Sequence, residues 1–175
     1  MSGSIASGKS TAARFLALGG YQTVSTRDVL QRHLVATDSP TDRQALRAFG
    51  GIVFKQLGQE WLFDRVAALI TESGNFVVDA LRFPADHNYL ERRYGRAFLH
   101  LHIVASTRIR ERRYLTRGDD LASFARADTD VTESQTFAVG RLANAIVVNE
   151  QSLEHFNELV SKTIIQNWGD EVPCL

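Results

Sequence analysis

The chain has 175 residues and a mass of 19.5 kDa, 44% hydrophobic and 23% charged, which fits one globular domain and leaves no length for a second of ordinary size. A lone cysteine, Cys174, excludes a disulfide framework; with no apolar run near the about 18 residues of a membrane span and no signal peptide, a cytoplasmic protein without a membrane anchor is expected. Twenty basic against twenty acidic residues give zero formal charge, which excludes the broad cationic field of a non-specific nucleic-acid or membrane-surface binder.

That balance is asymmetric in kind. Of the 20 basic residues 17 are Arg and 3 are Lys (Lys9, Lys55, Lys162), and Arg is the side chain that grips phosphate in bidentate fashion.

In chain order, Ala12, Phe15 and Leu16 recur at helical spacing after Lys9, and Gly19-Gly20 stops them, so a helix is expected over 8–18. A short strand follows at 21–24. Ser25 or Thr26 caps the next helix, which carries Val29, Leu30, His33 and Leu34; 36–40 is a loop. Thr41 with Gln44 reads as a capping box for a helix bearing Leu46, Phe49, Val53 and Leu57, and Gly58 separates it from another with Leu62, Val66, Leu69 and Ile70. Gly74-Asn75 turns the chain into Phe76, Val77, Val78 and Asp79, an unbroken apolar run of the kind found in a strand buried on both faces. A helix over 85–93, a strand over 98–104 and a strongly basic helix from about 106 come next. A polar, poorly periodic stretch over 119–133 precedes a helix to 143, a strand over 145–148 and a last helix over 152–168; the tail 169–175 reads as loose. Strands alternating with helices mean α/β.

The sequence GSIASGKS at 3–10 fits G-x-x-x-x-G-K-[ST] and runs directly into a helical pattern. Such a loop wraps its backbone N–H groups around a phosphate, and its glycines take conformations and close approaches that a Cβ would block. Gly3, Ala6, Ser7, Gly8, Lys9, Ser10 and Thr11 therefore form a candidate ATP site. Lys9 would reach the β- and γ-phosphates and the Ser10 hydroxyl would ligate Mg²⁺, with the helix N-terminus adding positive charge. Only Met1 and Ser2 precede Gly3, so the first, central strand of the sheet is expected to be missing, its slot left to another segment or a partner domain.

Several segments resemble the nucleotide and nucleoside monophosphate kinase superfamily. GSIASGKST at 3–11 is similar to the loop of dephospho-coenzyme A kinases. VSTRDVL at 24–30 resembles the V/I-S-T-G-D-x-L segment of adenylate kinases, with Arg27 in place of the glycine. LGQEW at 57–61 and VVDALRFPAD at 77–86 look like LGTEW and V-x-D-x-RFP-x-E of phage-type deoxynucleoside monophosphate kinases. The basic helix leading to Arg117-Gly118-Asp119-Asp120 is similar to the approach to their mobile lid, here about 114–135, and IVVNEQSLEHF at 146–156 to their usual ending.

The resemblance implies a three-layer P-loop fold with a mostly parallel sheet and transfer of the ATP γ-phosphoryl to a small nucleotide acceptor, a reaction that depends on positioning and charge cancellation. Asp79 is then placed like a Walker-B carboxylate on Mg²⁺, or is a strand-end cap; Arg82 faces the acceptor phosphate, or is a surface Arg. Arg27 and Asp28 belong to the acceptor side, although a first-turn Asp is also good helix chemistry. Arg110, Arg113 and Arg117 share a helix face, with Glu111 their only near acidic neighbour in sequence; Arg113 and Arg117 are the candidates to meet the transferring phosphoryl, the alternative being a solvated basic helix. Asn149 lies where related kinases place adenine, or is part of a cap at Ser152. His100 and His102, two residues apart, suit a metal only weakly, and Cys174 has no general base beside it. Trp61 reads as core or acceptor-pocket wall.

Two rivals stay open: dephospho-coenzyme A as acceptor, and a nucleotide-binding regulatory domain without turnover, since kinase-like domains precede deoxycytidylate deaminase domains in some proteins. The zinc signature of a deaminase, H-x-E with P-C-x-x-C, does not occur. A homodimer is a further possibility that sequence leaves open.

Overall fold

The run Phe76–Asp79, expected to be covered on both faces, is strand β2, and it pairs in parallel with β1 (Gln22–Ser25) in the register Gln22 with Phe76 through Ser25 with Asp79. A second parallel pair joins β3 (Leu101–Val104) to β4 (Ala145–Val148). The computed structural model describes residues 1–70, 74–79 and 81–168. The nine α-helices among them are α1 (Lys9–Leu18), α2 (Thr26–Ala36), α3 (Arg43–Ile52), α4 (Gly58–Ala67), α5 (Pro84–Tyr94), α6 (Thr107–Leu115), α7 (Leu121–Asp128), α8 (Val131–Gly140) and α9 (Leu153–Trp168).

The expectation of a sheet without its middle needs correction. Met1 and Ser2 fill the gap between β2 and β3. The Met1 nitrogen donates to Val78 O at 2.8 Å and Leu81 N–H to Met1 O at 2.8 Å, while Ser2 N–H donates to Leu101 O and Ile103 N–H to Ser2 O, both at 2.9 Å. Two residues bonded on both sides thus unite the pairs in the order β1, β2, residues 1–2, β3, β4. One extended residue has one donor and one acceptor, and here neighbouring strands claim them all.

Each face of this sheet has its own core. Ala12, Ala13 and Leu16 of α1 with Phe156, Val160 and Ile164 of α9 pack on Val77, Leu101, Ile103 and Val147. On the opposite face Val24 and Leu81 meet Val29, Leu62, Phe63, Val66, Tyr89, Leu90 and Val139 from α2, α4, α5 and α8. Helix, sheet, helix is the three-layer α/β arrangement of a P-loop fold, and it sets the phosphate loop at the carboxyl end of the strands.

Local chemistry fixes the helix starts that frame the site. Ser25 and Asp28 form a reciprocal capping box on α2. The cap of α3 is Asp42 rather than Thr41: its carboxylate accepts from Gln44 N–H and Ala45 N–H at 2.8 and 3.0 Å, and a carboxylate is the stronger acceptor at a helix N-terminus. A π-turn, Val53–Leu57, joins α3 to α4 where a clean break was expected. The stretch 119–133 is also more ordered than its weak periodicity suggests. Asp120 caps α7 by accepting from Ser123 N–H at 2.7 Å, and Phe124, its one buried side chain, packs on Tyr114 and Ala6; one anchor leaves no period to read. The tail 169–175, with Cys174, lies outside the described residues. Among the described residues no helix is long and apolar enough to cross a membrane.

Candidate functional site

The phosphate loop hangs from Ser2 in the sheet and ends at α1. At Gly3, φ is +146° and a Cβ would stand 2.3 Å from Ile103 O, so only glycine lets the loop leave the strand this close to β3. Ala6 takes a left-handed φ of 58° inside the loop, and no side chain caps the N-terminus of α1. The helix start is therefore free to offer N–H groups and dipole charge to an anion.

Lys9 curls over this loop. Its ammonium donates to Gly3 O at 2.6 Å and Ser4 O at 2.9 Å. Burial pulls its pKa down to about 8, against the opposing pull of the nearby carboxylates Glu133 and Asp79, with Arg82 and Arg117 also within electrostatic reach. Three other sequence-predicted residues, Asp79, Arg82 and Arg117, thus come within electrostatic reach of Lys9 from separate parts of the chain.

Asp79 ends β2 with Oδ1 buried and without a hydrogen-bond partner. An orphaned carboxylate oxygen near Lys9, with the exposed Ser10 hydroxyl at the start of α1, supplies the hard oxygen donors that Mg²⁺ prefers. Ser7 Oγ is buried and unpartnered as well; Thr11 follows as the third helical residue, half-buried.

Arg113 and Asn149 brace the loop from behind. The Asn149 side-chain amide donates to Ser7 O at 2.8 Å, and Arg113 donates to Asn149 Oδ1 at 3.0 Å and to Ser7 O at 3.3 Å. Asn149 N–H is spent on Val104 O, so this residue holds loop to sheet with its side chain. Next to it, an open cleft of about 860 Å³ is lined by Ser106, Arg108, Arg112, Thr116 and Glu150.

In the turn between β2 and α5, Arg82 and Phe83 donate their N–H groups to Asp86 Oδ2 at 2.8 and 3.0 Å, leaving the Arg82 side chain exposed. Burial drives the Asp86 pKa up to about 6. Arg27 and Asp28 are exposed just beyond Ser25, the register partner of Asp79, and Asp28 is engaged in the capping box. Trp61 packs edge-on against Phe49 and His33, with Arg65 over its ring at 3.8 Å.

Other contacts had no sequence signal. Glu133, in the first turn of α8, accepts from Ile5 N–H at 3.0 Å. Arg110 is buried, paired with Asp128 from α7 and bonded to Thr107 Oγ1 at 3.1 Å; Glu111 is therefore not the basic helix's only acidic neighbour. His100 and His102 both bond Ser2 Oγ at 2.7 Å, and His87 Nδ1 meets His100 Nδ1 at 3.0 Å. Burial lowers the pKa of all three, that of His100 to about 2. Neutral rings joined through a serine form a structural chain, and no group of three or more metal-ligating side chains occurs among the described residues.

No family model matches the chain. It is similar to the UPF0200 protein PAE1629 of Pyrobaculum aerophilum, 26% identical over 166 residues that span 91% of this chain and 92% of that protein. Its fold is similar to the crystal structure of TT1252 from Thermus thermophilus, with a TM-score of 0.62 and 20% identity over 94% of this chain and 93% of that one. Both likenesses run nearly end to end, and with the loop, sheet order and layers described above they establish a P-loop NTPase-like α/β fold.

Proposed function

We propose that this chain is an ATP-dependent phosphotransferase acting on a (deoxy)nucleoside monophosphate. The observation that carries the reading is the buried, unpartnered Asp79 Oδ1 at the end of β2, together with a phosphate-type loop whose Lys9 has Asp79, Arg82 and Arg117 within electrostatic reach. A bare phosphate loop would serve any NTPase. Arginines from the β2–α5 turn and from the end of the basic helix add the charge that a second phosphate group requires.

In this reading the loop N–H groups and Lys9 hold the β- and γ-phosphates. Arg82 orients the acceptor phosphate, whose oxygen attacks the γ-phosphorus while ADP leaves. Arg117 cancels charge on the transferring group, whereas Arg113, expected beside it, supports the loop through Ser7 O and Asn149 Oδ1, and 114–135 closes over the site as a lid that excludes water. Ser10 and Asp79 would hold Mg²⁺, which supplies further charge neutralisation on the phosphates. Arg27 and Asp28 flank the acceptor, and the cleft beside Glu150 receives the nucleoside of ATP.

The deciding experiment measures ADP formation with Mg²⁺ across a panel of nucleoside monophosphates and dephospho-coenzyme A, for wild type and Lys9→Ala. Turnover with a monophosphate that vanishes in a folded Lys9→Ala supports the proposal, and unchanged ADP production in that variant refutes it. Turnover confined to dephospho-coenzyme A moves the acceptor to the rival seen in the loop sequence. Tight ATP binding without transfer to any acceptor identifies a regulatory domain instead.

A further inference from the structure

Glu133 places a carboxylate on the phosphate loop itself. Its Oε2 accepts from Ile5 N–H at 3.0 Å, and the same carboxylate lies within electrostatic reach of the Lys9 ammonium. Both the backbone donor near the loop's start and the loop's own cation therefore face one side-chain anion. It comes from the first turn of α8, 128 residues away in sequence and within the segment 114–135. A hydrophobic seam accompanies it: Ile5 and Ala6 pack on Tyr114 and Phe124, so the contact joins the loop to an element already docked against it.

We propose that Glu133 is a built-in competitor for the terminal phosphate of a nucleotide, holding the Ile5 N–H with a carboxylate that a triphosphate must displace. The inference rests on the reading of 3–10 as a phosphate site. A carboxylate and a phosphate oxygen are both anionic acceptors for the same N–H, and two anions cannot share one donor without strong repulsion. Ile5 stands at the opposite end of the loop from the helix N-terminus, where Lys9 reaches toward the β- and γ-phosphates. The competition consequently falls on the outermost phosphate. A diphosphate, seated deeper against the start of α1, leaves Glu133 in place. A triphosphate expels it, and with it loosens the first turn of α8, so that the occupant of the loop decides where that helix begins. Glu133 thus tunes the preference between ATP and ADP and acts as a positioning residue, touching neither acceptor nor reacting oxygen.

The test is calorimetric titration of wild type, Glu133→Gln and Glu133→Ala with ATP, ADP and inorganic tripolyphosphate. Glu133→Gln keeps an oxygen acceptor and the length of the side chain, so it reports the charge even where Glu133→Ala fails to fold. ATP and tripolyphosphate are expected to bind Glu133→Gln about tenfold more tightly than wild type, a change of about 1.4 kcal/mol, with ADP shifted by less than about threefold. Unchanged or weaker ATP binding, in a wild type that does bind ATP, overturns this inference while leaving the nucleotide reading intact. An equal gain for ADP and ATP overturns it too, since a carboxylate that only depressed the local potential would act on both. Absence of binding by every protein to every ligand overturns both proposals together.

Discussion

The carboxamide of Asn149 lies so close to Gly8 that a Cβ at position 8 would stand 2.1 Å from its Nδ2. Asn149 is itself buried and held by Ser7 and Arg113, so it has no room to retreat. Gly8→Ala is expected to cost about 2–3 kcal/mol, from overpacking together with the φ of +116°, and to remove ATP binding. Gly51, in α3, has nothing within 4 Å of its would-be Cβ, and Gly51→Ala should stabilise by about 0.5 kcal/mol. Thermal melts of the two variants, with opposite signs, check the geometry directly.

Lys9 titrates at about 8 because it is buried. A bound anion favours the charged ammonium, so affinity is full below that value. As pH rises through about 8 the free protein sheds the proton that binding needs, and affinity for ATP should fall by about tenfold per unit until the complex also deprotonates. Titration calorimetry at pH 7, 8 and 9 measures this, and a flat profile would show that the ammonium does not hold the phosphate.

Arg110 and Asp128 form a pair in which the arginine is 9% and the aspartate 25% exposed. Removing only the arginine strands a half-buried carboxylate, so Arg110→Ala should destabilise by about 2 kcal/mol, below the range for fully buried pairs because water still reaches Asp128. The double variant with Asp128→Ala should recover part of that loss. A urea-unfolding double-mutant cycle gives the coupling, and additive losses would mean that the pair contributes nothing.

The buried histidines make the fold acid-sensitive. Each of His87, His100 and His102 has a pKa lowered from the ordinary 6.5 by burial. Below 6.5 the unfolded chain takes up protons that the folded chain refuses, so stability is lost as pH falls through that value, at up to about 1.4 kcal/mol per unit for each ring. Asp86 works the other way: its pKa is raised from 3.8 to about 6, so acidification between these values favours the folded state. Three rings outweigh one carboxyl. The urea midpoint should therefore drop between pH 7.5 and pH 5.5. Ser2→Ala, which unpairs His100 Nε2 and His102 Nδ1, should cost about 2 kcal/mol at neutral pH.

Elements and chemistry that depend on near neighbours could be read along the chain. The loop at 3–10 needs glycines at fixed offsets, because positive φ and close backbone approach are properties of single residues. The run Phe76–Asp79 and the helix starts at Ser25 and Lys9 follow from local periodicity and capping. Lys9, Asp79, Arg82 and Arg117 could be nominated because phosphate chemistry asks for those side chains at the ends of those elements. What lies opposite each of them could not. The Met1–Ser2 segment filling the sheet's centre, Asp128 on Arg110, the Asn149 side chain under the loop and Glu133 on Ile5 N–H all join residues distant in sequence. Such partners leave no spacing to detect, since each contact uses one hydrogen-bonding group from each element and its geometry exists only after the two cores have packed on the sheet. Sequence determined the phosphate-type loop and the elements that flank it, and tertiary structure decided which charges face that loop.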